Sequence, residues 1–209
     1  MRPRRARSAR RPPTSTGCPP PTGSSEARPA PSPPRRDEVA VTRPATDEAA
    51  PYYWRYIDRV AGDDVMGVLA GQSEETLAFL RGIAEERSRH RYAPGKWSIR
   101  ELLSHLTDSE RVFALRALWF ARGFDSALPS FDQDTAARAA RADQVAWASH
   151  VEEFRVVRLA SVALFRNLPA EAWSSAGIAS GNRFTVRALA YIIAGHEAHH
   201  VAVLKERYS

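Results

Sequence analysis

The chain has a single cysteine, Cys18, which lies among the first 47 residues. One cysteine cannot form an intramolecular disulfide, and it leaves the rest of the chain without a thiol to bind metal or act as a nucleophile. This usage is typical of a reducing compartment and predicts a cytoplasmic protein. Any metal site in the remaining residues must therefore use other side chains.

Long apolar runs are also missing. No stretch of about 18 consecutive apolar residues occurs, so no segment is predicted to span a membrane. The pairs Arg4-Arg5 and Arg10-Arg11 are of a kind found in export signals, but no apolar segment follows them. No segment of five or more residues alternates between apolar and polar side chains, so no sheet is predicted.

The N-terminal segment lacks aromatic residues. Residues 1–47 contain no Phe, Trp or Tyr, but they hold ten arginines, four acidic residues and eleven of the fifteen prolines. Such a segment cannot bury enough apolar surface to offset its loss of conformational entropy. We predict a disordered tail over 1–47 and a folded domain over 48–209. A start codon assigned too early, with translation beginning nearer Val41, would account for part of the tail.

The positive charge belongs to the tail alone. From Glu48 onward, 20 basic and 20 acidic side chains cancel, so the formal charge of +6 comes entirely from residues 1–47. A nucleic-acid-binding domain needs excess positive charge on its own surface. The folded domain is therefore not expected to bind nucleic acid specifically, although the tail could contact polyanions weakly.

Four segments place apolar residues at helical spacing, over about 63–87, 98–122, 145–167 and 185–207. The second has a capping box, with Ser98 at the N-cap and Glu101 three residues later. Thr185 begins the last helix in the same way. Residues 51–56 are predicted as a strap across the bundle rather than as a helix.

Four helices of about 20 to 28 residues are each long enough to cross a small domain. We therefore predict an all-α fold, a four-helix bundle. The link from Gly123 to about Gln144 is long enough for a crossover between helices two and three, and residues 128–134 within it are predicted as a loop.

Histidines are the residues most informative about function. His196 and His200 lie one turn apart on the last helix, where two imidazoles can bind one metal ion. His105 lies seven residues after the start of the second helix, and His200 lies seven residues before the end of the last. These levels coincide if the two helices are antiparallel. The three side chains predict an open metal site inside the bundle.

The other three histidines have no partner at ligand spacing. His90 and His150 are predicted to lie on the surface. His199 is turned about 60° from the edge formed by His196 and His200, so it is predicted to support the site from outside or to face solvent.

Several charged residues could assist the metal. Asp108, three residues after His105, could orient an imidazole. Glu110 and Glu197 lie well off the ligand faces; each is a candidate general base, although a solvated surface acid is the simpler interpretation. Arg116 returns to the face of His105 about 16 Å further along the helix. We predict that Arg116 pairs with an acid inside the bundle or receives an anionic group of a substrate.

Residues 196–200 also match the metallopeptidase pattern H-E-x-x-H, with Glu197 in the position of the general base. The extended peptidase patterns place a third ligand downstream, but only nine residues follow His200. The sheet that normally flanks such a helix is also absent from the prediction. A metallopeptidase is therefore a minor alternative.

Three blocks together resemble the DinB-like superfamily and, within it, the YfiT-like branch. They are YAPGKWSIRE leading into HLTDSER at 92–111, PSFDQD at 129–134 and AGHEAHH at 194–200. The resemblance covers about residues 50–208. It implies an up-down-down-up helix order and a metal, nickel or zinc, held by His105, His196 and His200. Family members with known activity include transferases that use bacillithiol, mycothiol or glutathione.

The residues and the resemblance together predict a metal-dependent enzyme that acts on a small molecule, as a thiol S-transferase or a hydrolase. A sulfur nucleophile would be a low-molecular-weight thiol cosubstrate, and water is the other candidate. The alternative is a non-enzymatic bundle with a structural metal that acts by binding a protein or ligand. The oligomeric state is left open. Trp119, Trp147 and Trp173 could form the face of a homodimer, but aromatic residues at helical spacing more often belong to a core.

Overall fold

The computed structural model describes residues 41–208. The tail predicted over 1–47 falls largely on residues 1–40 and so lies outside the described residues. Residues 41–47 pack against the helices: Val41 is buried, and the Arg43 guanidinium donates to the carbonyl of Val60 at 2.9 Å and to Asp58 at 2.6 Å.

Four long helices form a bundle, and shorter elements connect them. The elements are α1 (Trp54–Ile57), α2 (Val65–Arg81), α3 (Ile99–Ala121), α4 (Gln133–Ala140), α5 (Trp147–Arg166), β1 (Ala176–Ala179), β2 (Asn182–Thr185) and α6 (Val186–Arg207). Single 3-10 turns lie at Pro51–Tyr53, Arg87–Arg89, Ala142–Gln144 and Ala170–Ser174. The all-α prediction is confirmed, and α2, α3, α5 and α6 are the four bundle helices. Within residues 41–208, no helix is both long and apolar enough to cross a membrane.

Contacts between helix ends establish that α2 and α5 are antiparallel. The Trp147 indole, at the start of α5, donates to the carbonyl of Leu80 at the end of α2 at 3.1 Å. Further along α5, the Arg158 guanidinium donates to the carbonyl of Leu69, near the start of α2, at 3.3 Å.

The last helix is parallel to α2 and antiparallel to α3. Gln72 of α2 donates to the carbonyl of Ala194 at 3.2 Å. The Tyr208 hydroxyl, just beyond α6, donates to the carbonyl of Trp97 at the start of α3 at 2.7 Å. The bundle therefore has the up-down-down-up order, with the crossover between α3 and α5.

Hydrogen-bonding side chains define where the two site-bearing helices begin. The Ser98 hydroxyl accepts from the amide of Glu101 at 3.1 Å, while the Glu101 carboxylate accepts from the amide of Ser98 at 2.8 Å. The Thr185 hydroxyl accepts from the amide of Ala188 at 3.1 Å. Both predicted helix starts are confirmed. Because the start sets the phase of a helix, these caps also determine which side chains face the interior.

The crossover contains a helix that the sequence analysis missed. Asp132 caps α4 by accepting from the amides of Asp134 at 3.0 Å and Thr135 at 3.1 Å. Of its residues, only Ala137 is buried, so α4 carries almost no apolar periodicity by which it could be recognised.

The prediction that no segment forms a sheet is wrong. Strands β1 and β2 form an antiparallel hairpin in which Ala176 pairs with Thr185 and Ala179 pairs with Asn182. Each strand has four residues, which is too short to show an alternating pattern. Leu128 of the crossover bridges to Ala179, so the crossover loop lies along the hairpin.

The strap predicted over 51–56 consists of a 3-10 turn followed by the one-turn helix α1, which packs against α6. A Cβ on Gly195 would overlap the carbonyl of Tyr56, so glycine permits α1 to approach α6 this closely. Gly195 immediately precedes His196. The close approach therefore positions the strap beside the histidines.

Candidate metal centre

Three histidines from two helices converge inside the bundle. His105 comes from α3, whereas His196 and His200 come from α6; one ring nitrogen of each lies within 4.8 Å of those of the others. The two Nε2 atoms of His196 and His200 are 3.1 Å apart. The ring of His105 lies 5.1 Å from that of His196 and 5.0 Å from that of His200, centroid to centroid. The predicted trio is therefore brought together.

The spacing fits a shared metal ion. Two imidazole nitrogens bound tetrahedrally to zinc, with bonds of about 2.0–2.1 Å, lie roughly 3.3 Å from each other. The 3.1 Å between His196 and His200 is close to this value. A hydrogen bond between the two imidazoles would span the same distance, but it would give no role to His105, which approaches the same point.

Burial keeps the three side chains neutral. It lowers the pKa of His105 to about 4, although the Asp134 carboxylate opposes the change. Burial, reinforced by the neighbouring histidines, lowers the pKa of His200 to about 3 and brings the pKa of His196 well below its ordinary value. At neutral pH each imidazole therefore retains the lone pair that a metal ion requires.

Hydrogen bonding and aromatic packing surround the trio. The Ser109 hydroxyl lies 3.4 Å from Nδ1 of His105, one turn further along α3. The Trp97 ring packs 4.9 Å from the ring of His105, and the Tyr56 ring packs 5.0 Å from that of His196. With its Nδ1 beside Ser109, His105 has Nε2 free as a ligand atom.

A cavity of about 210 Å³ opens beside the histidines. His105, His196 and Ser109 line one part of it, and Phe113 and Arg116 line another. The site can therefore be reached by a small molecule.

The predicted role of Asp108 does not match its position. Its carboxylate pairs with Arg111 at 3.2 Å and its side chain is one-third exposed. None of its described hydrogen bonds goes to an imidazole, so Asp108 does not orient a histidine.

Interpreting Glu110 and Glu197 as surface acids is wrong, because both are buried. The Arg158 guanidinium donates to the two carboxylate oxygens of Glu110 at 2.9 and 2.8 Å, and its Nη1 forms an ion pair with Glu197. Neither carboxylate lines the cavity. Both acids were candidate general bases, but the structure holds both carboxylates against Arg158 and away from the cavity that the histidines line.

Sequence reasoning missed Arg158. On α5 it shares the helical face of Phe154, Val162 and Phe165, all of which are buried. A basic residue on an otherwise apolar face is the signal that could have revealed a buried ion pair, and such a pair needs acids from the neighbouring helices.

His150 was predicted to lie on the surface, and this prediction is wrong. Its side chain is buried and its Nε2 lies 2.9 Å from the carbonyl of Ala142. His90 is half-buried with its ring 6.3 Å from that of Tyr208, and His199 packs against Tyr56 at 5.6 Å. None of these three histidines joins the converging group.

The fold and the site together define a class: four-helix bundles with histidines of two helices converging beside a cavity. The family model of the DinB superfamily matches residues 68–204, so the chain belongs to the DinB superfamily. This match confirms the resemblance found in the sequence.

A solved structure illustrates the shared fold. It is YfiT from Bacillus subtilis, described as a probable metal-dependent hydrolase with an unusual four-helix bundle topology. The match has a TM-score of 0.59 and 15% sequence identity, and it covers 78% of this chain and 89% of that one. At this identity, the likeness shows a shared fold. No curated protein sequence matches the chain.

Proposed function

We propose that His105, His196 and His200 bind one divalent metal ion, zinc or nickel, and that the protein is a metal-dependent enzyme acting on a small molecule. The observation that carries this proposal is the convergence of three neutral imidazoles, of which His105 and His196 are buried and line a cavity and His200 is half-buried. A metal ion with three histidine ligands and a free position supplies a nucleophile near neutral pH, from water or from a thiol, and polarises a substrate oxygen.

The size of the cavity and the residues that line it limit which substrates can bind. Its volume of about 210 Å³ is smaller than the range of about 300–1,000 Å³ that is typical for drug-sized ligands. Such a cavity suits a small substrate rather than a polymer. Tyr56 and Phe113 pack against His196 and give that part of the cavity an aromatic wall. Ser109 holds His105 in orientation.

A hydrolase would use water, and a transferase would use a thiol cosubstrate such as bacillithiol, mycothiol or glutathione. Both reactions fit a domain that contains no cysteine of its own. A metallopeptidase would need the carboxylate of Glu197 beside the histidines, but this carboxylate lies against Arg158. The geometry therefore disfavours a peptidase.

The competing class is a non-enzymatic bundle in which the metal is structural. Structural zinc sites are closed by four protein ligands, whereas three candidate ligands converge among residues 41–208. The adjoining cavity and the missing fourth ligand favour the enzyme.

Metal analysis by plasma mass spectrometry of untagged protein tests the site. We expect about one equivalent of zinc or nickel in the wild type and a large loss in both His105→Ala and His200→Ala. His199→Ala, which removes a neighbouring imidazole outside the converging group, should keep the metal. A folded, metal-free wild type that takes up neither ion when offered would exclude the proposal.

Two assays on metal-loaded protein separate the reactions. Hydrolysis of small esters and amides is measured without thiol, and transfer to an electrophile is measured with each of the three thiols. Activity that is lost in His105→Ala supports an enzyme. Chelation that lowers the melting temperature, with no catalysed reaction in either assay, supports a structural metal.

A further inference from the structure

Arg116 lies in the same cavity as the histidines, and its charge has no protein counter-ion among residues 41–208. The side chain is 3% exposed. Nη2 donates to the carbonyl of Pro129 at 3.2 Å and to the hydroxyl of Ser180 at 2.9 Å, and both acceptors are neutral. The prediction that Arg116 pairs with an acid within the bundle is thus not met by any described residue.

Its environment differs from those of the other two buried arginines in the described part of the chain. Arg100 forms an ion pair with Glu85, and Arg158 binds two carboxylates. Burying a charge without a partner is costly, so buried guanidinium groups are normally matched by acids. Arg116 is the exception, and it is also the one of the three that lines the cavity.

The hairpin and the crossover loop hold this guanidinium in place. Ser180 and Gly181 form the hairpin turn with φ values of 53° and 73°. The amide of Ser180 donates to the carbonyl of Leu128 at 3.1 Å, which ties the turn to the crossover. Nη2 makes the hydrogen bonds to Pro129 and Ser180, and the Tyr53 hydroxyl is a further neutral partner of the guanidinium. At least two of its five N–H groups therefore remain available to a ligand.

Phe113 lies between Arg116 and the histidines. Its ring is 5.9 Å from that of His196 and 5.8 Å from the guanidinium carbon of Arg116. One apolar ring therefore separates the charged end of the cavity from the histidine end. No acidic side chain among the described residues lines the cavity, and the nearby Asp134 carboxylate acts on the histidine end, at His105.

We infer that Arg116 binds the anionic group, a carboxylate or a phosphate, of a small-molecule substrate whose reacting group lies at His105, His196 and His200. The inference rests on the proposed function in placing the reacting group, but anion binding by Arg116 itself does not require the metal. A guanidinium with two free donor groups matches either anion, because both accept paired N–H groups. The substrate would have an apolar portion that packs on Phe113.

Anion titration of the metal-free full-length protein, followed by NMR, provides the test. Acetate and inorganic phosphate are added separately at constant ionic strength, and the Nε–H signal of Arg116 is monitored. We expect saturable binding in the wild type and a loss of about tenfold or more in affinity in Arg116→Gln, as expected when charge-assisted hydrogen bonds are removed. The tighter anion identifies the group as carboxylate or phosphate.

Arg122→Gln is the matched control, because Arg122 is exposed just after α3 and the substitution changes the charge equally. It should bind both anions as the wild type does. Arg116→Lys keeps the charge but loses the planar pair of donors, so intermediate binding is expected. Circular dichroism and the melting temperature establish that each variant is folded.

Two results would overturn the inference. One is equal anion binding by the wild type and Arg116→Gln, or no binding by either. The other is binding that occurs only after zinc is added, which would place the anion on the metal. The titration is made without metal, so a negative metal analysis would not change how the anion titration is interpreted. A negative anion titration would likewise not contradict the proposed metal site.

Discussion

Arg158 joins Glu110 of α3 and Glu197 of α6 in one buried ion-pair group, and Glu197 directly follows His196. Consecutive side chains of an α-helix point about 100° apart, so residues 196 and 197 contact different neighbours. His196 faces His105, while Glu197 faces α5. The ion pairs therefore hold α6 in the rotation that presents His196 and His200 to α3.

Removing Arg158 should destabilise the protein strongly. Arg158→Met leaves two buried carboxylates without a counter-ion, and breaking such a pair costs about 3–5 kcal/mol. Urea unfolding measures the loss. Arg155→Met on the same helix breaks only the exposed pair with Glu152 and should cost less than about 1 kcal/mol. Equal losses in the two variants would show that the buried group is not a structural tie.

Gly195→Ala should be destabilising by about 1–3 kcal/mol, because the added methyl group overlaps the carbonyl of Tyr56 and forces α1 away from α6. The matched substitution is Gly71→Ala in α2, where nothing lies within 4 Å of the new Cβ. Alanine is the better helix former, so Gly71→Ala should stabilise by about 0.5–1 kcal/mol. Thermal and urea unfolding report both changes, and a stabilising Gly195→Ala would contradict the close approach.

The sequence was sufficient to predict the histidine trio because its information is local. The caps at Ser98 and Thr185 determine where α3 and α6 begin, and the period of 3.6 residues then sets the face on which each histidine lies. Antiparallel packing brings the levels of His105 and His200 together. The antiparallel packing was the one condition that the sequence left open, and the contact of Tyr208 with Trp97 supplies it.

The roles of Glu110 and Glu197 could not be predicted in this way. A carboxylate off the ligand face is normally solvated, and only the position of Arg158 on a third helix makes burial favourable. The hairpin and α4 were missed for a related reason. Their short segments are stabilised by contacts with the crossover loop and the bundle rather than by a pattern of their own.

Ser109→Ala should weaken metal binding by roughly tenfold, in the lower part of the range for residues that hydrogen-bond to a ligand. The contact of its hydroxyl with Nδ1 of His105 is long at 3.4 Å, which argues for a modest effect. Competition with a zinc chelator of known affinity measures the change. Ser104→Ala removes a buried hydroxyl from the same helix that is not hydrogen-bonded to a histidine, and it should bind zinc normally.

Adding metal should stabilise the fold, because the histidines converge only in the native state. At a free zinc concentration of about 100 times the Kd, the free energy of unfolding should rise by about 2.7 kcal/mol. Calorimetry with increasing zinc measures this, and a chelator should reverse it. His200→Ala should show little of the increase, and a full increase in this variant would place the zinc elsewhere.

Stability at acid pH should depend on Glu48. Burial alone would raise the pKa of Glu48, but hydrogen bonds from the Arg187 guanidinium, the Thr185 hydroxyl and the Ala45 amide lower it to about 2. Because the unfolded carboxyl has its ordinary pKa of 4.5, the stabilisation is complete above that pH and is lost as the pH falls toward 2.

Comparing the wild type with Glu48→Gln by urea unfolding at pH 7 and at about pH 3.5 tests this linkage. The advantage of the wild type should shrink by about 1 kcal/mol at the lower pH, because the unfolded chain takes up the proton first. Glu75→Gln, which alters an exposed carboxylate without a described ion pair, controls for the change in net charge. A difference between wild type and Glu48→Gln that stays constant with pH would mean that the carboxylate of Glu48 gains nothing from Arg187 on folding.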